Sequence, residues 1–465
     1  MVMRRNIVIV SLLAVSCGLV SAGLLGCGQL PAASGFFVWS EHARRTAPPA
    51  PAAVAPFEMG RPDLVLLITG RNNGQMEICN CAGEAMPGGL SRRSGLFVSY
   101  RHAFPRTLAV DVGDFLSAQP DELRNESLAR AYALLRYDAI AAGDQEFAVG
   151  AVSLGQLIDD HALPVFSTEV TLKGLDVPAS FANANANVAA GRRVVFFFAI
   201  EEDSLRYVPQ AVKPTVMWQE HTLVEALAGV GAEDFVVVVA HGGDALIDRV
   251  AALGRVNVIL HGHTSQREER IRMTNGVPVV KIGGADFVGA LAVRFPGGPR
   301  VAADDMEFRV EPVDVRWPAD ARVFQVYEAF AHADMRRVLD ADKPGGLTYM
   351  PAATCGQCHA PAYAGWQKSP HARAHKTLVD IRREGDPNCL MCHTSGFGTA
   401  RGFATIQQTP RLANVNCQSC HRFNLVDGQH SPKPAPRPDQ NVCTICHTPV
   451  TAPNFNLETM KPRVH

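Results

Sequence analysis

Cysteine is absent from residues 28 to 78 and again from 82 to 354 of this 465-residue chain. No disulfide scaffold can therefore be spread along it. Net charge is almost absent as well, at −1, so there is no general pull toward nucleic acid or acidic lipid. The stretch from Thr46 to Pro56, TAPPAPAAVAP, has no charge and little but Pro and Ala, which reads as an extended tether. Beyond residue 350 regular hydrophobic periodicity is missing, while Pro, Gly, Asn and His become frequent. That stretch is not expected to build an ordinary side-chain core, and something else must fill its interior. What the chain does have is 12 cysteines in a lopsided arrangement: Cys17 and Cys27 near the N-terminus, Cys79 and Cys81 as a Cys-x-Cys, and eight after residue 350. Such crowding at one end points to a dedicated module.

The N-terminus reads as an export signal. Arg4 and Arg5 precede an apolar stretch from Ile7 to about Leu25, and Leu24-Leu25-Gly26-Cys27 resembles a lipobox with an acylatable Cys27. Three fates stay open: a lipid anchor at Cys27, an uncleaved anchor formed by the apolar stretch, or simple cleavage. Each makes the protein exported, at the periplasm or cell surface, and the first two hold it to the membrane through its N-terminus.

From Leu64 to Val315 apolar runs alternate with helix-like segments. Strands are predicted at 64–70, 107–113, 164–170, 193–200, 234–240, 256–262 and 287–295, all rich in Val, Ile or Phe and bounded by Gly, Asp or Asn. Amphipathic helices are predicted at 126–142 and 244–254, and FANANANV (181–188) as a loop. Such alternation argues for an α/β domain. A helix at 319–341 follows, broken by Lys343-Pro344-Gly345-Gly346.

Four pentapeptides in the C-terminal stretch share one pattern: Cys355-Gly-Gln-Cys358-His359, Cys389-Leu-Met-Cys392-His393, Cys417-Gln-Ser-Cys420-His421 and Cys443-Thr-Ile-Cys446-His447. Two thiols three positions apart reach the two vinyl groups of one porphyrin and form thioethers, and the next residue turns its imidazole onto the iron. Paired CxxC motifs also build zinc ribbons, but here every one is followed at once by His, on an exported chain. Four covalently bound c-type haems would supply the interior that side chains do not. For the sixth iron position the histidines of this stretch are His371, His375, His430 and His465, with His332 just upstream. Histidine there gives low-potential electron-transfer centres, and methionine (Met350, Met391 or Met460) would raise the potential.

The run CGQCHAPAYAGWQKSPHARA, followed by NCLMCHTSGFG, NVNCQSCH and CTICHTPVTAPNFNLETMKPRVH, resembles the cytochrome c-554-like tetrahaem family, which is related to the electron acceptor of hydroxylamine oxidoreductase. The resemblance covers 350–465. It implies distal-ligand positions at His371, His430 and His465, closely stacked haem pairs and, in some members, one haem with no distal ligand. His375 is an extra histidine, able to close such a position or to sit on the surface.

Polar residues gather at several predicted strand ends: Gly113-Asp114, Gly143-Asp144-Gln145-Glu146-Phe147, His241-Gly242-Gly243 and Gly262-His263-Thr264-Ser265. Carboxylates and imidazoles at strand ends are how an α/β fold collects metal ligands. Their order and spacing resemble the calcineurin-like metallophosphoesterases, especially the 5′-nucleotidase branch, over 62–300. That family carries Asp-x-His, GD, GNHE, a lone His and GHxH around two metals. In this chain Arg71-Asn72-Asn73 stands where Asp-x-His is expected, Asp144 and Gln145 replace the Asn and His of GNHE, and Ser265 replaces the last His. By the resemblance one metal's ligand set survives as Asp114, Asp144, His241 and His263. The other is lost, and Arg71 would put a cation in its place beside the carboxylates. The site then holds one divalent ion or none. Cys79-Asn80-Cys81, just before GGLSRR (88–93), is open to a disulfide, a soft metal or redox reactivity.

The expected organisation is a signal segment over 1–27, a tether over 28–58, an α/β metallophosphoesterase-like sandwich over 59–316, a helical connector over 317–346, and a mostly α and irregular tetrahaem cytochrome c domain over 347–465. The expected role is electron transfer to and from redox partner proteins, the α/β domain serving for docking or recognition without phosphate hydrolysis. The rival is an enzyme, either a hydrolase at the surviving metal site or a redox enzyme at an open haem.

Overall fold

The computed structural model describes residues 47–78, 88–117, 119, 121–182, 192–264, 266–296, 301–341, 347–426, 429–431, 441–448, 452 and 455–460. The signal segment with Cys17 and Cys27, the Cys79-Asn80-Cys81 motif, Ser265 and His465 lie outside these residues.

In chain order the α/β part begins with β1 (Leu64–Thr69), α1 (Leu90–Ala103), β2 (Thr107–Asp111), α2 (Glu122–Leu135), β3 (Ala139–Ala141), α3 (Asp144–Ala148), α4 (Ala151–His161) and β4 (Val165–Phe166). It continues with β5 (Val170–Leu172), β6 (Phe181–Ala182), β7 (Val194–Ile200), β8 (Val216–Trp218), α5 (His221–Ala228), β9 (Phe235–His241), α6 (Asp244–Ala251) and β10 (Val258–Gly262). It closes with β11 (Arg272–Thr274), β12 (Val277–Lys281), β13 (Phe287–Val293) and β14 (Met306–Pro312). Two six-stranded sheets result, in the orders β14-β13-β1-β2-β3-β4 and β11-β12-β10-β9-β7-β6. The strands at their centres, β1, β2, β7, β9 and β10, are buried along their whole length. This is why they read as continuous apolar runs and not as alternating ones: strands covered on both faces have no polar side. β1, β2, β3 and β4 run parallel, as do β7, β9, β10 and β12. The loops after β2, β3, β9 and β10 therefore emerge at strand C-terminal ends, where the polar strand-end residues sit.

Three sequence readings are corrected. The predicted helix over 126–142 ends at Leu135, because Arg136 takes a left-handed φ of 57°. Ala139–Ala141 then forms a buried strand paired with β2, tertiary pairing overriding the helix preference of alanine. The predicted strand at 164–170 splits between β4 in the first sheet and β5, which pairs with β8. The loop predicted at 181–188 begins as β6, paired with β7. Strands β8, β11, β12 and β14 carried no sequence assignment; three of them have partly exposed, mixed patterns.

Helix α7 (Ala321–Asp340) joins the two parts of the molecule, which pack as one compact unit from Thr46 onward. Its first half buries Val323, Val326, Tyr327, Phe330 and Ala331 against α1 and α2, at the i, i+3, i+4, i+7, i+8 spacing of one helix face. Full burial of each Val or Phe is worth about 1.5–3 kcal/mol. Its second half gives Met335, Val338 and Leu339 to a separate apolar cluster. An ion pair, Arg337 to Asp121 at 2.9 Å, closes the contact.

Short helices follow: α8 (Ala352–Gly356), α9 (Ala360–Lys368), α10 (Ala374–Asp380), α11 (Pro387–His393), α12 (Cys417–Cys420), α13 (Asn441–Thr444) and α14 (Leu457–Met460), with a hairpin of β15 (Asn424–Val426) and β16 (Gln429–Ser431). The expectation that side chains build no core here is half right. Leu378, Cys389, Leu390, Phe397, Phe403, Leu412 and Ala413 do cluster, completed by α7 and Tyr349. The residues of the first and fourth motifs themselves stay half-buried or exposed. Among the described residues no helix is long and apolar enough to cross a membrane.

Candidate functional site

The strand-end residues converge. Asp114 follows β2, Asp144 opens α3, His241 ends β9 and His263 follows β10. One ligand atom from each lies within 4.8 Å of all the others. His241 Nε2 is 3.0 Å from Asp144 Oδ1 and 3.4 Å from Asp114 Oδ1. His263 Nδ1 is 3.1 Å from Asp114 Oδ2 and 3.2 Å from Asp144 Oδ1. The two imidazole centroids are 4.4 Å apart. Asp114 is 1% exposed and His241 fully buried.

Backbone strain holds this geometry. Arg71, Asn73, Asp114 and His263, on three different loops, have φ of 52°, 49°, 62° and 54°. Side chains of this kind enter the left-handed region at a cost, and such residues gather at functional sites. Gly143 is required for a different reason: a Cβ there would lie 2.6 Å from Asp114 Oδ1 and 2.8 Å from His241 Cε1. Gly143→Ala should therefore push the cluster apart and weaken divalent-ion binding at least tenfold while the protein still folds. Calorimetric titration beside a thermal melt would read both, and unchanged affinity would show that the loop relaxes freely.

Burial alone would lower the basicity of His241, but the Asp114 and Asp144 carboxylates overcome it and raise its pKa to about 10. His263 is raised by its hydrogen bonds to Asp114 and Asp144. Burial opposes ionisation of Asp114, yet His241 and His263 hold it far below the usual carboxylate range. Asp114 Oδ1 is buried with no hydrogen-bond partner, so the protonated histidines do not satisfy the cluster fully. A divalent ion fits this donor set: two carboxylates and two imidazoles suit zinc, iron or manganese, and the ion would take up the orphaned oxygen.

Two supporting residues had no role assigned from sequence. Glu146 is fully buried and accepts from the backbone N–H groups of Asp114 (2.9 Å), Leu116 (2.9 Å) and Gly143 (2.8 Å). It thus fixes the loops that carry both aspartates. Burial and then the Asp114 charge push its pKa up to about 8. Arg93, 1% exposed, donates to Asn72 Oδ1, the hydroxyls of Tyr132 and Tyr137 and the Ala285 carbonyl. A glutamate three residues into a helix and an arginine after paired glycines were the available signals.

On the side of the lost ligand set, Gln145 Nε2 donates to Asn73 Oδ1 at 2.6 Å, and Gln145 Oε1 is buried without a partner. Among the described residues Arg71 makes no ion pair with Asp114 or Asp144. The carboxylates are paired with His241 and His263.

Each CxxCH motif adopts one helical turn. The N–H of His359, His421 and His447 donates to the carbonyl of the first cysteine of its motif at 2.9, 2.8 and 2.9 Å, and the second motif lies within α11. A helical turn puts residues i and i+3 on one face, as double thioether attachment needs. The Cys355 and Cys417 side chains lie beside each other, as do those of Cys392 and Cys446. The first motif therefore abuts the third, and the second abuts the fourth. Cys389 is buried, Cys358 exposed and the other motif cysteines in between.

The histidines pair across gaps. His359 and His430 have ring centroids 5.9 Å apart and nearly parallel planes; His371 and His447 are 6.1 Å apart. Two metal–imidazole bonds of about 2 Å each, plus about 1 Å from each nitrogen to its ring centre, come to about 6 Å. Burial, then neighbouring histidines, lowers the pKa of His371, and burial does the same first for His447, which keeps them in the neutral form that ligates metal. His393 Nδ1 is 2.8 Å from the Ala374 carbonyl, the contact that leaves Nε2 to a metal. Among the described residues no imidazole stacks opposite His393. His375 is not a surface residue: it is 7% exposed, its ring packs 5.6 Å from Phe403, and burial lowers its pKa. His332 is exposed.

Comparison with known proteins agrees with both halves. Residues 354–422 match the family "Cytochrome c554 and c-prime". Cytochrome c-554 of Nitrosomonas europaea is 29% identical over 82 residues, covering 14% of this chain and 35% of that protein. The sulfate thiohydrolase SoxB of Thermus thermophilus, solved with glycerol, superposes with a TM-score of 0.50 at 18% identity, over 64% of this chain and 63% of its own. The calcineurin-like phosphoesterase YfkN of Bacillus subtilis superposes with a TM-score of 0.49 at 17% identity, over 59% of this chain and 98% of its own. The chain thus spans about a third of its curated relative and under two thirds of the thiohydrolase. The α/β part has a metallophosphoesterase-like fold, and the C-terminal part matches a cytochrome family that carries covalently bound haem.

Proposed function

We propose that this protein is an exported tetrahaem electron carrier whose α/β part, over 59–316, docks or recognises a partner and does not hydrolyse phosphate esters. The helix over 317–346 connects it to a haem domain over 347–465. Residues 1–27 direct export, residues 28–58 form a tether, and Cys27 or the apolar stretch before it holds the protein to the membrane. Haem at the four motifs supplies reversible one-electron chemistry of iron. The observation that carries this reading is the pair of facing imidazoles, His359 with His430 and His371 with His447, spaced for one metal ion between them. The chain's own part is to hold neutral imidazoles on both sides, to bring the first motif against the third and the second against the fourth, and so to keep the haems close enough for transfer along the array.

The test is ligation. His430→Gly and His371→Gly should each turn one low-spin centre high-spin in electron paramagnetic resonance and leave four haems attached. Unchanged spectra in both variants would remove the assignment. His465 is proposed as the distal ligand of a third centre. A second reading rests on His393, which has no facing imidazole among the described residues: an open iron there would bind small ligands and make this centre a redox enzyme. Cyanide or nitric oxide binding at a single haem distinguishes that reading from the pure carrier.

A further inference from the structure

Arg383 and Asp386 are charged yet 8% and 3% exposed. Charges are rarely buried this deeply unless paired, and a buried pair is often no more stable than apolar side chains of the same size. Its placement therefore calls for an explanation other than stability. The guanidinium donates to Asp386 Oδ2 (2.9 Å), to the Tyr327 hydroxyl (2.8 Å) on α7 and to the carbonyl of Ile78 in the α/β part. Asp386 also accepts from the Asn388 N–H at 2.9 Å and from the Tyr327 hydroxyl, and its Oδ2 lies 3.3 Å from Cys389 Sγ. A thioether at Cys389 would put the porphyrin edge two bonds from that sulfur.

Ile78 ends the segment that starts at the metal site. Asn73 donates its N–H to the Asp114 carbonyl (2.8 Å), and its side chain accepts from Gln145. Five Cα–Cα steps, at most about 18 Å of extended chain, separate Asn73 from Ile78. Among the described motif cysteines Cys389 is the buried one, and it is the one in contact with this network.

We infer that the second motif is the point where the haem array is clamped to the α/β part, and that Arg383 and Asp386 are positioning residues whose opposed charges each act on the potential of its haem and balance there. The inference rests on the proposed haem attachment. A carboxylate at the porphyrin edge favours the ferric state, which carries one more positive charge, and a guanidinium favours the ferrous state. In a medium of effective dielectric about 20, a unit charge there changes the electron affinity of the iron about tenfold. Paired, the two nearly cancel, and the haem keeps a potential close to that of a neutral site.

The experiment is a spectroelectrochemical titration of the full-length, haem-loaded protein. Asp386→Asn should raise the potential of one of the four one-electron steps by about tenfold in affinity, or 59 mV. Arg383→Gln should lower the same step by a similar amount. The double variant should return it to within threefold of the parent, and Arg383→Lys, which keeps the charge, should restore it likewise. A merely structural pair would not give shifts of opposite sign on one haem. Shifts of the same sign, equal movement of all four steps, or no step moving by threefold would overturn the inference. A pyridine haemochrome count on every sample separates the two levels: a parent without four haems refutes the haem reading itself, whereas four haems with unmoved potentials refute only the clamp.

Discussion

Replacing Cys389 and Cys392 together by alanine is expected to leave a protein that carries three haems and has lost the fold of its C-terminal part. The same double replacement at Cys355 and Cys358 is expected to cost one haem and little else. The difference follows from burial. Cys389 belongs to the apolar cluster with Leu378, Leu390, Phe397 and Phe403, and that cluster is joined to α7 through Met335, Val338 and Leu339. Cys358 is exposed and the α9 helix that follows it buries no residue. A haem missing at the second motif leaves a void beside the C-terminal part's own side-chain core, and voids of that size cost several kcal/mol, about 24 cal/mol for each Å³ left unfilled. Intact-mass and pyridine haemochrome counts, with limited proteolysis of the region after residue 347, read both outcomes. The parent should count four haems that resist acid-acetone extraction. Equal proteolytic resistance in the two variants would show that the haems are interchangeable as core, and haem extracted into acid-acetone would show that the thioethers do not exist.

The four CxxCH motifs were legible because the chemistry of haem attachment fixes the spacing: two thiols and an imidazole within five residues need no tertiary information. The sheet strands were legible for a similar local reason, since RVVFFFAI and DFVVVVA are unbroken apolar runs that only a doubly covered strand can bury. Ala139–Ala141 was not legible. Its sequence continues a helical pattern from α2, and only its partners Val110 and Asp111 on β2 and Val165 and Phe166 on β4 make it a strand. The same holds for Arg383, whose significance lies in a carbonyl 305 positions away; nothing local to Arg-Arg-Glu-Gly-Asp marks it as buried. The facing imidazole pairs were half visible. Candidate histidines could be named, but bringing His430 opposite His359 and His371 opposite His447 needs the hairpin of β15 and β16 and the approach of the turn at His371 to the fourth motif. Charge complementarity suggested a guanidinium in the place of the lost metal; the carboxylates themselves are paired with His241 and His263, and Arg71 sits on the neighbouring loop with a left-handed backbone (φ 52°).

Divalent-ion binding in the α/β part is expected to stop at one ion per chain and to disappear with Asp114→Ala, a loss of at least a hundredfold in affinity. Asp114 contacts both histidines and carries the one buried carboxylate oxygen of the cluster without a hydrogen-bond partner, so no other residue replaces it. The positions that would complete a second ion's ligand set are Arg71, Asn73 and Ser265, and Asn73 is bonded to Gln145 at 2.6 Å; a guanidinium, a neutral amide and a hydroxyl offer weak donors and no negative charge. Hydrolysis by two metals needs one ion to lower the pKa of the attacking water and another to hold the leaving oxygen. Turnover of nucleotide or phosphodiester substrates should accordingly be at background. The affinity should depend on pH in a defined sense. In the metal-free protein the carboxylates hold protons on His241 up to about pH 10 and raise His263 as well, and an ion can bind only when those protons leave. Affinity therefore rises with pH, with up to two protons released per ion, and levels off as pH passes about 10. Protonated His241 has the opposite effect on the metal-free fold: its stabilisation is fully present below the unfolded value of about 6.5 and is lost as pH climbs through about 10. Metal analysis and isothermal titration of the full-length protein at several pH values, with nucleotide and phosphodiester assays alongside, test the whole set. Two tightly bound ions per chain, affinity that falls as pH rises, or turnover abolished by Asp114→Ala would each show that a working phosphoesterase centre has been misread as a single-ion site.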